Sequence, residues 1–187
     1  MARSRERIFD EYLASAARAG DRDAFGRLAA RWQPKLLAHA WRLTGDRDLA
    51  RDVVQDAWAD IAKGIRRLDD TAAFPAWAFR IVTRRTADVI RRAQRRRKLN
   101  AAYANETDGN VLSADSMERS ADGRAVHQAI NALPKDQRAA IALFYLQDLS
   151  VTEIAAVLEV PAGTVKTRLM HARRKLRAAL EGGKSDG

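Results

Sequence analysis

Between Pro161 and Leu180 stand Lys166, Arg168, Arg173, Arg174, Lys175 and Arg177, with no acidic residue among them. Cations in such number do not make or break bonds; they bind phosphates. Interleaved with them are Thr164, Thr167, Met170 and His171, side chains suited to hydrogen-bonding or touching base edges. A second cation-rich run, RRAQRRRK over 91–98, holds six basic residues in eight. Against both, Asp48, Asp52, Asp56 and Asp60 recur every fourth residue, which on a helix makes one acidic stripe. The residues that bond chemistry needs are not assembled. There is no cysteine, Walker glycine loop, HExxH, Cys/His cluster or nucleophile motif. His39, His127 and His171 are scattered and read as packing or surface residues. The expectation is a binding protein, not an enzyme, with no cofactor and no metal.

The whole chain supports that direction. A formal charge of +10 and a pI near 10.6 point to a polyanionic partner, either nucleic acid or an anionic membrane surface. No stretch of about 18 apolar residues exists to span a membrane, and the charged N-terminus lacks the apolar block of a signal peptide. The absence of cysteine suits a reducing compartment, so a cytoplasmic location is expected. At 187 residues, 47% of them hydrophobic, the chain can build one large domain or two small ones.

The elements that must position these charges read as helices throughout. Alanine, leucine and arginine dominate, and apolar residues recur at spacings of three and four. A first helix from about Arg3 to Ala19 stops at Gly20. The next is capped at Asp21 or Asp23 and carries Phe25, Leu28, Ala29, Trp32, Leu36 and Leu37; Pro34 is expected to kink or divide it. After a turn at Thr44-Gly45-Asp46, Leu49, Val53, Val54, Ala57, Trp58 and Ile61 line the apolar side of the acid-striped helix. Trp58 reads as core. RRLDDTAA is a loop. A fourth helix opens at FPAW, where Pro75 is tolerated in the first turn, and places Arg80, Arg84, Arg91 and Arg95 on one flank. Asp88 is spaced to pair with Arg84 or Arg92. The polar stretch AYANETDGNVLSADS then reads as a flexible linker.

The second block begins with ADGRAVHQAINAL, a helix with Val126 and Ile130 facing inward. Pro134 opens another, with Ile141, Leu143, Phe144 and Leu146 as its core. Ser150 and Glu153 form a capping-box pattern that starts a short helix burying Ile154, Ala155 and Leu158. Val160 plugs the turn and Pro161 sets the entry to the basic helix, which buries Val165, Leu169, Ala172 and Leu176. This is a helix-turn-helix whose second helix is offered to a major groove, with free N–H groups near Gly163 and Thr164 for a phosphate.

The stretch from Ala132 to Leu180 resembles region 4 of bacterial sigma factors of the extracytoplasmic-function group. Leu133-Pro134, Gln137-Arg138, Ser150 to Ala155 and Gly163-Thr164-Val165-Lys166-Thr167-Arg168 carry that likeness. The first block resembles region 2. Gly20-Asp21, Ala24-Phe25, Gly45-Asp46, Asp52 to Asp56, Phe74, Trp77, Phe79-Arg80-Ile81, and Asp88 with Arg91 and Arg92 carry it. The resemblance implies an all-α fold of two small helical domains joined by a flexible linker, the C-terminal one containing the helix-turn-helix. The expected boundaries are a region 2 domain over 1–96, the linker over 97–120, a region 4 domain over 121–181 and a disordered tail over 182–187.

It also implies a role for each block. Region 2 binds the β′ coiled coil of core RNA polymerase and melts and reads the −10 element; Asp48, Asp52, Val53, Gln55 and Asp56 are the expected polymerase contacts. Opening the strands needs a pocket for a flipped base and a positive track for the single strand. The loop Arg67 to Ala73, with Phe74 and Trp77 behind it, is the candidate pocket, and Arg80, Arg84 and Arg91 the track. Trp77 and Phe79 also suit packing. Region 4 reads duplex −35 DNA and contacts the β flap; Thr164, Lys166, Thr167, Arg168, Met170, His171 and Arg173 are the expected DNA residues. An anti-sigma protein is a further expected partner. Three positions depart from the family pattern. Arg51 stands where an acid is frequent, Arg84 where asparagine is common, and Glu159 in a turn where glycine is common; Glu159 needs an unusual backbone angle there.

A linker over 97–120 stretches to at most about 80 Å at ~3.3 Å per residue, enough for sites ~50 Å apart, about one and a half turns of duplex. The competing reading is a stand-alone helix-turn-helix regulator. It leaves the acidic stripe and the tryptophan-rich first block without a purpose.

Overall fold

A computed structural model describes residues 5–101 and 128–182. The chain divides into two compact units, Met1–Asn110 and Val111–Gly187. All regular structure among the described residues is helical.

In the first unit α1 spans Arg5–Arg18, α2 Arg22–Thr44, α3 Arg47–Gly64 and α4 Phe74–Ala101. Two 3-10 turns, Ile65–Arg67 and Thr71–Ala73, bridge α3 and α4. Local chemistry sets the ends. Asp21 and Asp46 cap α2 and α3 by accepting from two backbone N–H groups each, and Gly45 ends α2 in the left-handed region at φ 77°. Of the two outcomes expected at Pro34, division does not occur: α2 runs through it as one helix. Pro34 and Ala30 are both exposed, so water can serve the carbonyl that the missing N–H leaves free. α4 runs past Arg96 into the stretch expected to be linker, because RRRKLNA contains good helix formers and neither Gly nor Pro. The rest of that linker, Val126, His127 and residues 183–187 lie outside the described residues.

The core of this unit is Leu13, Leu28, Trp32, Leu36, Val53, Val54, Ala57, Ile61, Phe74, Phe79 and Val82, all buried. Trp32 meets Phe74 and Phe79 edge-on at 5.2 and 5.5 Å between centroids. α1 is fastened along α2 by Leu13, Ala14 and Ala17 and by buried Asp10, which pairs with Arg31 at 2.7 Å and Lys35 at 3.8 Å. His39 is a packing residue. Its ring lies 5.1 Å from Phe79, and Nε2 is 2.9 Å from Thr83 Oγ1. The Thr83 hydroxyl already donates to the Phe79 carbonyl at 3.0 Å. It has one proton to give, so Nε2 of His39 carries the ring hydrogen and Nδ1 is bare.

The second unit has a helical stretch over 128–131, then α5 Lys135–Tyr145, α6 Val151–Leu158 and α7 Ala162–Gly182. Ser150 and Glu153 make both bonds of a capping box, at 3.2 and 2.7 Å. Glu159 adopts φ 54°, ψ 44°, the left-handed geometry its position demanded; for a side-chain-bearing residue that costs about 1–2 kcal/mol. Two core assignments change. Leu146 is 57% exposed and Phe144 half-buried, because α5 ends at Tyr145 and Asp148 (φ 52°) reverses the chain, bringing Leu149 into the core instead. In α6 the buried pair is Ile154 and Val157, with Ala155 and Leu158 half-buried. Val165, Leu169 and Ala172 of α7 are buried, and Leu176 is half-buried.

Candidate nucleic-acid and partner interfaces

α7 presents its charges as its spacing requires. With Val165, Leu169 and Ala172 turned inward, Lys166, Thr167, Met170 and Arg173 are exposed, and Thr164, Arg168 and His171 half-buried. Several are already engaged. The Thr167 hydroxyl donates back to the Gly163 carbonyl at 3.1 Å. Nη2 of Arg168 donates to Asp136 Oδ2 on α5 at 2.6 Å. Arg173 donates from Nε to the Tyr145 hydroxyl at 3.0 Å, with its guanidinium over the Phe144 and Tyr145 rings. Nη2 of Arg174 lies 3.4 Å from His171 Nδ1. Lys166 and Met170 are therefore the exposed side chains of this face that make no hydrogen bond or ion pair among the described residues.

On α4 the arginines Arg80, Arg84, Arg91 and Arg95 are exposed. Asp88 pairs with Arg91, three residues on, rather than with Arg84 or Arg92. The Arg91 hydrogen bond holds the Asp88 carboxyl below its ordinary range. Phe74 was expected behind the base pocket and among the DNA contacts. It is fully buried against Trp32, so it cannot touch DNA directly and serves as core. Trp77 is half-buried, tilted on Phe74 at 6.1 Å between centroids and packed against Gly64. The loop in front is well bonded. Leu68 N–H donates to Ile65 O at 3.2 Å, Ala73 N–H to Asp70 O at 3.1 Å, and Ala72 N–H to Asp70 Oδ1 at 2.9 Å. A residue the sequence did not flag completes it. Nη1 of Arg18, on α1, donates to the carbonyls of Leu68 and Asp69 at 3.1 and 3.0 Å.

The acidic stripe lies on α3. Asp48, Asp52, Gln55 and Asp56 are exposed. Val53 was expected among the partner contacts, but it is buried in the core of the first unit. Two arginines trim the stripe. Arg51 pairs with Asp48 at 3.0 Å, and Arg85 of α4 reaches Asp60 at 2.5 Å and Asp56 at 4.0 Å. The Asp60 hydrogen bond raises the Arg85 pKa further. Asp52 makes no ion pair among the described residues. Trp58 is half-buried, with Nε1 donating to Gln33 Oε1 at 2.5 Å and its ring edge-on to Phe25. Among the described residues no acid, histidine or cysteine group is arranged to hold a metal, and no helix is long and apolar enough to cross a membrane.

Comparison with known proteins accounts for both units. Residues 28–96 match the sigma-70 region 2 family model, and residues 123–176 match the sigma-70 region 4 model. The extracytoplasmic-function RNA polymerase sigma factor SigW of Bacillus subtilis is 32% identical over 86% of this chain and 91% of its own length. The RNA polymerase sigma-H factor of Pseudomonas aeruginosa is 30% identical, covering 92% and 94%. Among solved structures, the sigma factor RpoE in complex with the anti-sigma factor NepR from Bartonella quintana is 27% identical with a TM-score of 0.68, covering 84% of this chain and 96% of that one. CnrH in complex with the cytosolic domain of CnrY is 28% identical with a TM-score of 0.60, covering 96% and 99%.

Proposed function

The chain belongs to the extracytoplasmic-function sigma factors of the sigma-70 family, and from that premise we propose how its two units divide the work. The protein binds core RNA polymerase and directs promoter-specific initiation through −35 and −10 elements. It is not an enzyme; polymerase carries out the chemistry.

In our reading α7 enters the major groove of the −35 element. Lys166, Thr167, Met170 and His171 meet base edges, Thr164 and Arg173 meet the backbone, and Arg168 works from its pair with Asp136. The observation that carries this assignment is the division of α7 into a buried row, Val165, Leu169 and Ala172, and an exposed face with no acid before Glu181. In the first unit the loop between α3 and α4, backed by Trp77, takes a flipped base, and Arg80, Arg84 and Arg91 track the single strand. Asp48, Asp52, Gln55 and Asp56 dock on the β′ coiled coil. The second unit meets the β flap, and the segment between the units is the tether. The protein works in the cytoplasm and is held inactive by an anti-sigma partner.

Purified protein mixed with core polymerase tests this directly, with footprinting and transcription start mapping. Promoter-specific initiation with protection at two elements supports the assignment. Duplex binding without initiation supports a stand-alone regulator instead.

A further inference from the structure

α1 lies outside the residues 28–96 that match the region 2 model, yet it is tied to the loop that the reading above makes the base pocket. The tie has a definite geometry. The stretch Leu68 to Asp70 joins two 3-10 turns, with extended backbone at Leu68 (ψ 106°) and Asp70 (ψ 107°) and a bend at Asp69 between them. The turns on either side close on themselves, with Asp70 O accepting from Ala73 N–H, but the Leu68 and Asp69 carbonyls between them need another partner. Arg18 supplies one, bonding Leu68 O and Asp69 O through the same Nη1. Among the described residues, no other side chain bonds these two carbonyls. Arg18 is itself held in place, since α1 is locked to α2 by Leu13, Ala14, Ala17 and the Asp10–Arg31 pair.

A pocket that captures a flipped base gains affinity by having its shape before the base arrives. The turns hold the two ends of this loop, and Arg18 holds the Leu68 and Asp69 carbonyls between them. We propose that Arg18 is a positioning residue for the −10 base pocket: it fixes the Leu68–Asp69 backbone and does not touch DNA. An exposed arginine in so basic a protein otherwise reads as a phosphate contact; its commitment to two carbonyls argues against that. The inference rests on the assignment of this loop as the pocket.

The test uses holoenzyme and a fluorescent single strand carrying the −10 element, beside a series with one abasic site at each position in turn. Wild type should lose affinity at the captured position. Arg18→Ala should weaken binding of the intact strand by about tenfold, the scale of one lost charge-assisted hydrogen bond. It should have no effect on the strand abasic at the captured position. Arg18→Gln keeps a donor without the charge and should fall between, again with no effect on that abasic strand. Equal weakening of intact and abasic strands by both variants would make Arg18 a phosphate contact and overturn the proposal. Unchanged binding of the intact strand by Arg18→Ala overturns it as well. If no abasic site weakens wild type, the loop is not a base pocket, and the assignment under it fails first. Core polymerase affinity and thermal unfolding of each variant, both expected to match wild type, separate loss of pocket shape from loss of fold.

Discussion

Arg168 on α7 donates to the carboxylate of Asp136 on α5 across 2.6 Å, with the arginine side chain 22% exposed and the aspartate 66%. The pair crosses from the groove-facing helix to the helix packed behind it. One carboxylate therefore offsets one cation at the centre of the proposed −35 surface. Asp136→Ala removes the staple and the offset together. We expect the second unit to lose about 0.5–1 kcal/mol, a small value because the pair is solvent-screened. We also expect the salt dependence of −35 duplex binding to steepen by about one counterion. Binding titrations over a range of salt check this; an unchanged slope means that Arg168 already meets a phosphate while paired.

Lys166 and Arg173 should separate as base reader and backbone contact. Lys166 is exposed and makes no ion pair among the described residues, whereas Arg173 is held by the Tyr145 hydroxyl and two aromatic faces. Lys166→Ala should cost about 1–3 kcal/mol at one base position and relax preference there, while Arg173→Ala should weaken all sequences alike. Binding to a panel of single-base −35 variants distinguishes them.

The acidic stripe predicts a second contrast. Asp52 is exposed and makes no ion pair among the described residues, whereas Asp60 is half-buried under Arg85. Asp52→Lys should weaken holoenzyme assembly by tenfold or more, on the scale of about 1.4 kcal/mol. Asp60→Ala should leave assembly nearly unchanged and instead modestly destabilise the first unit, because it removes the 2.5 Å partner of Arg85 and leaves only Asp56 at 4.0 Å. Titration of labelled core polymerase reads the first effect and chemical unfolding the second. Equal effects on assembly would place the partner over the whole stripe.

What local pattern controls is legible in the sequence. Apolar spacing located the helices, and single residues marked their ends: Asp21, the Gly45 turn, the Ser150–Glu153 box and the strained Glu159. Pairings between helices were not legible. Arg18 with the Leu68 and Asp69 carbonyls, Arg85 with Asp60 and Arg168 with Asp136 join positions far apart in the chain, and helical period says nothing about what lies opposite a face. The same limit explains Phe74 and Val53. A period of 3.6 assigns them to an apolar side, but whether that side meets a partner or the core depends on where the neighbouring helix crosses. In α6 the crossing helix buries Val157 rather than Leu158; the helix is too short for its own pattern to decide between them.

Gly64 leaves room for Trp77. A Cβ there would stand 2.8 Å from Cζ2 and 3.2 Å from Cη2 of the indole, while its backbone at φ −90° suits any residue. Alanine would normally gain up to about 1 kcal/mol at a helix position; here overpacking of about 1–3 kcal/mol opposes it. Gly64→Ala should lower the stability of the first unit and shift tryptophan emission as the ring moves. All four tryptophans, at 32, 41, 58 and 77, lie in that unit, so fluorescence-detected unfolding reports on it alone. A more stable variant with unchanged emission would contradict the packing of Trp77 on Gly64.

His39 makes the first unit sensitive to mild acid. Burial, aided by Arg42, lowers its pKa from 6.5 to about 3. Its Nε2 hydrogen is spent on Thr83, and Nδ1 is buried with no acceptor for a second proton. The unfolded chain therefore takes up a proton that the folded chain refuses. The stabilisation is complete above pH 6.5 and is lost as pH falls toward about 3, at up to about 1.4 kcal/mol per pH unit. His39→Leu removes this titration, and Thr83 keeps its bond to the Phe79 carbonyl. Carboxylates titrate in both proteins, so the difference isolates the histidine. Between about pH 7 and about pH 5, urea unfolding followed by tryptophan fluorescence should show wild type losing about 2 kcal/mol more than His39→Leu. Parallel pH profiles would mean that His39 is protonated inside the fold, against the cost of a second ring N–H at buried Nδ1 with no acceptor.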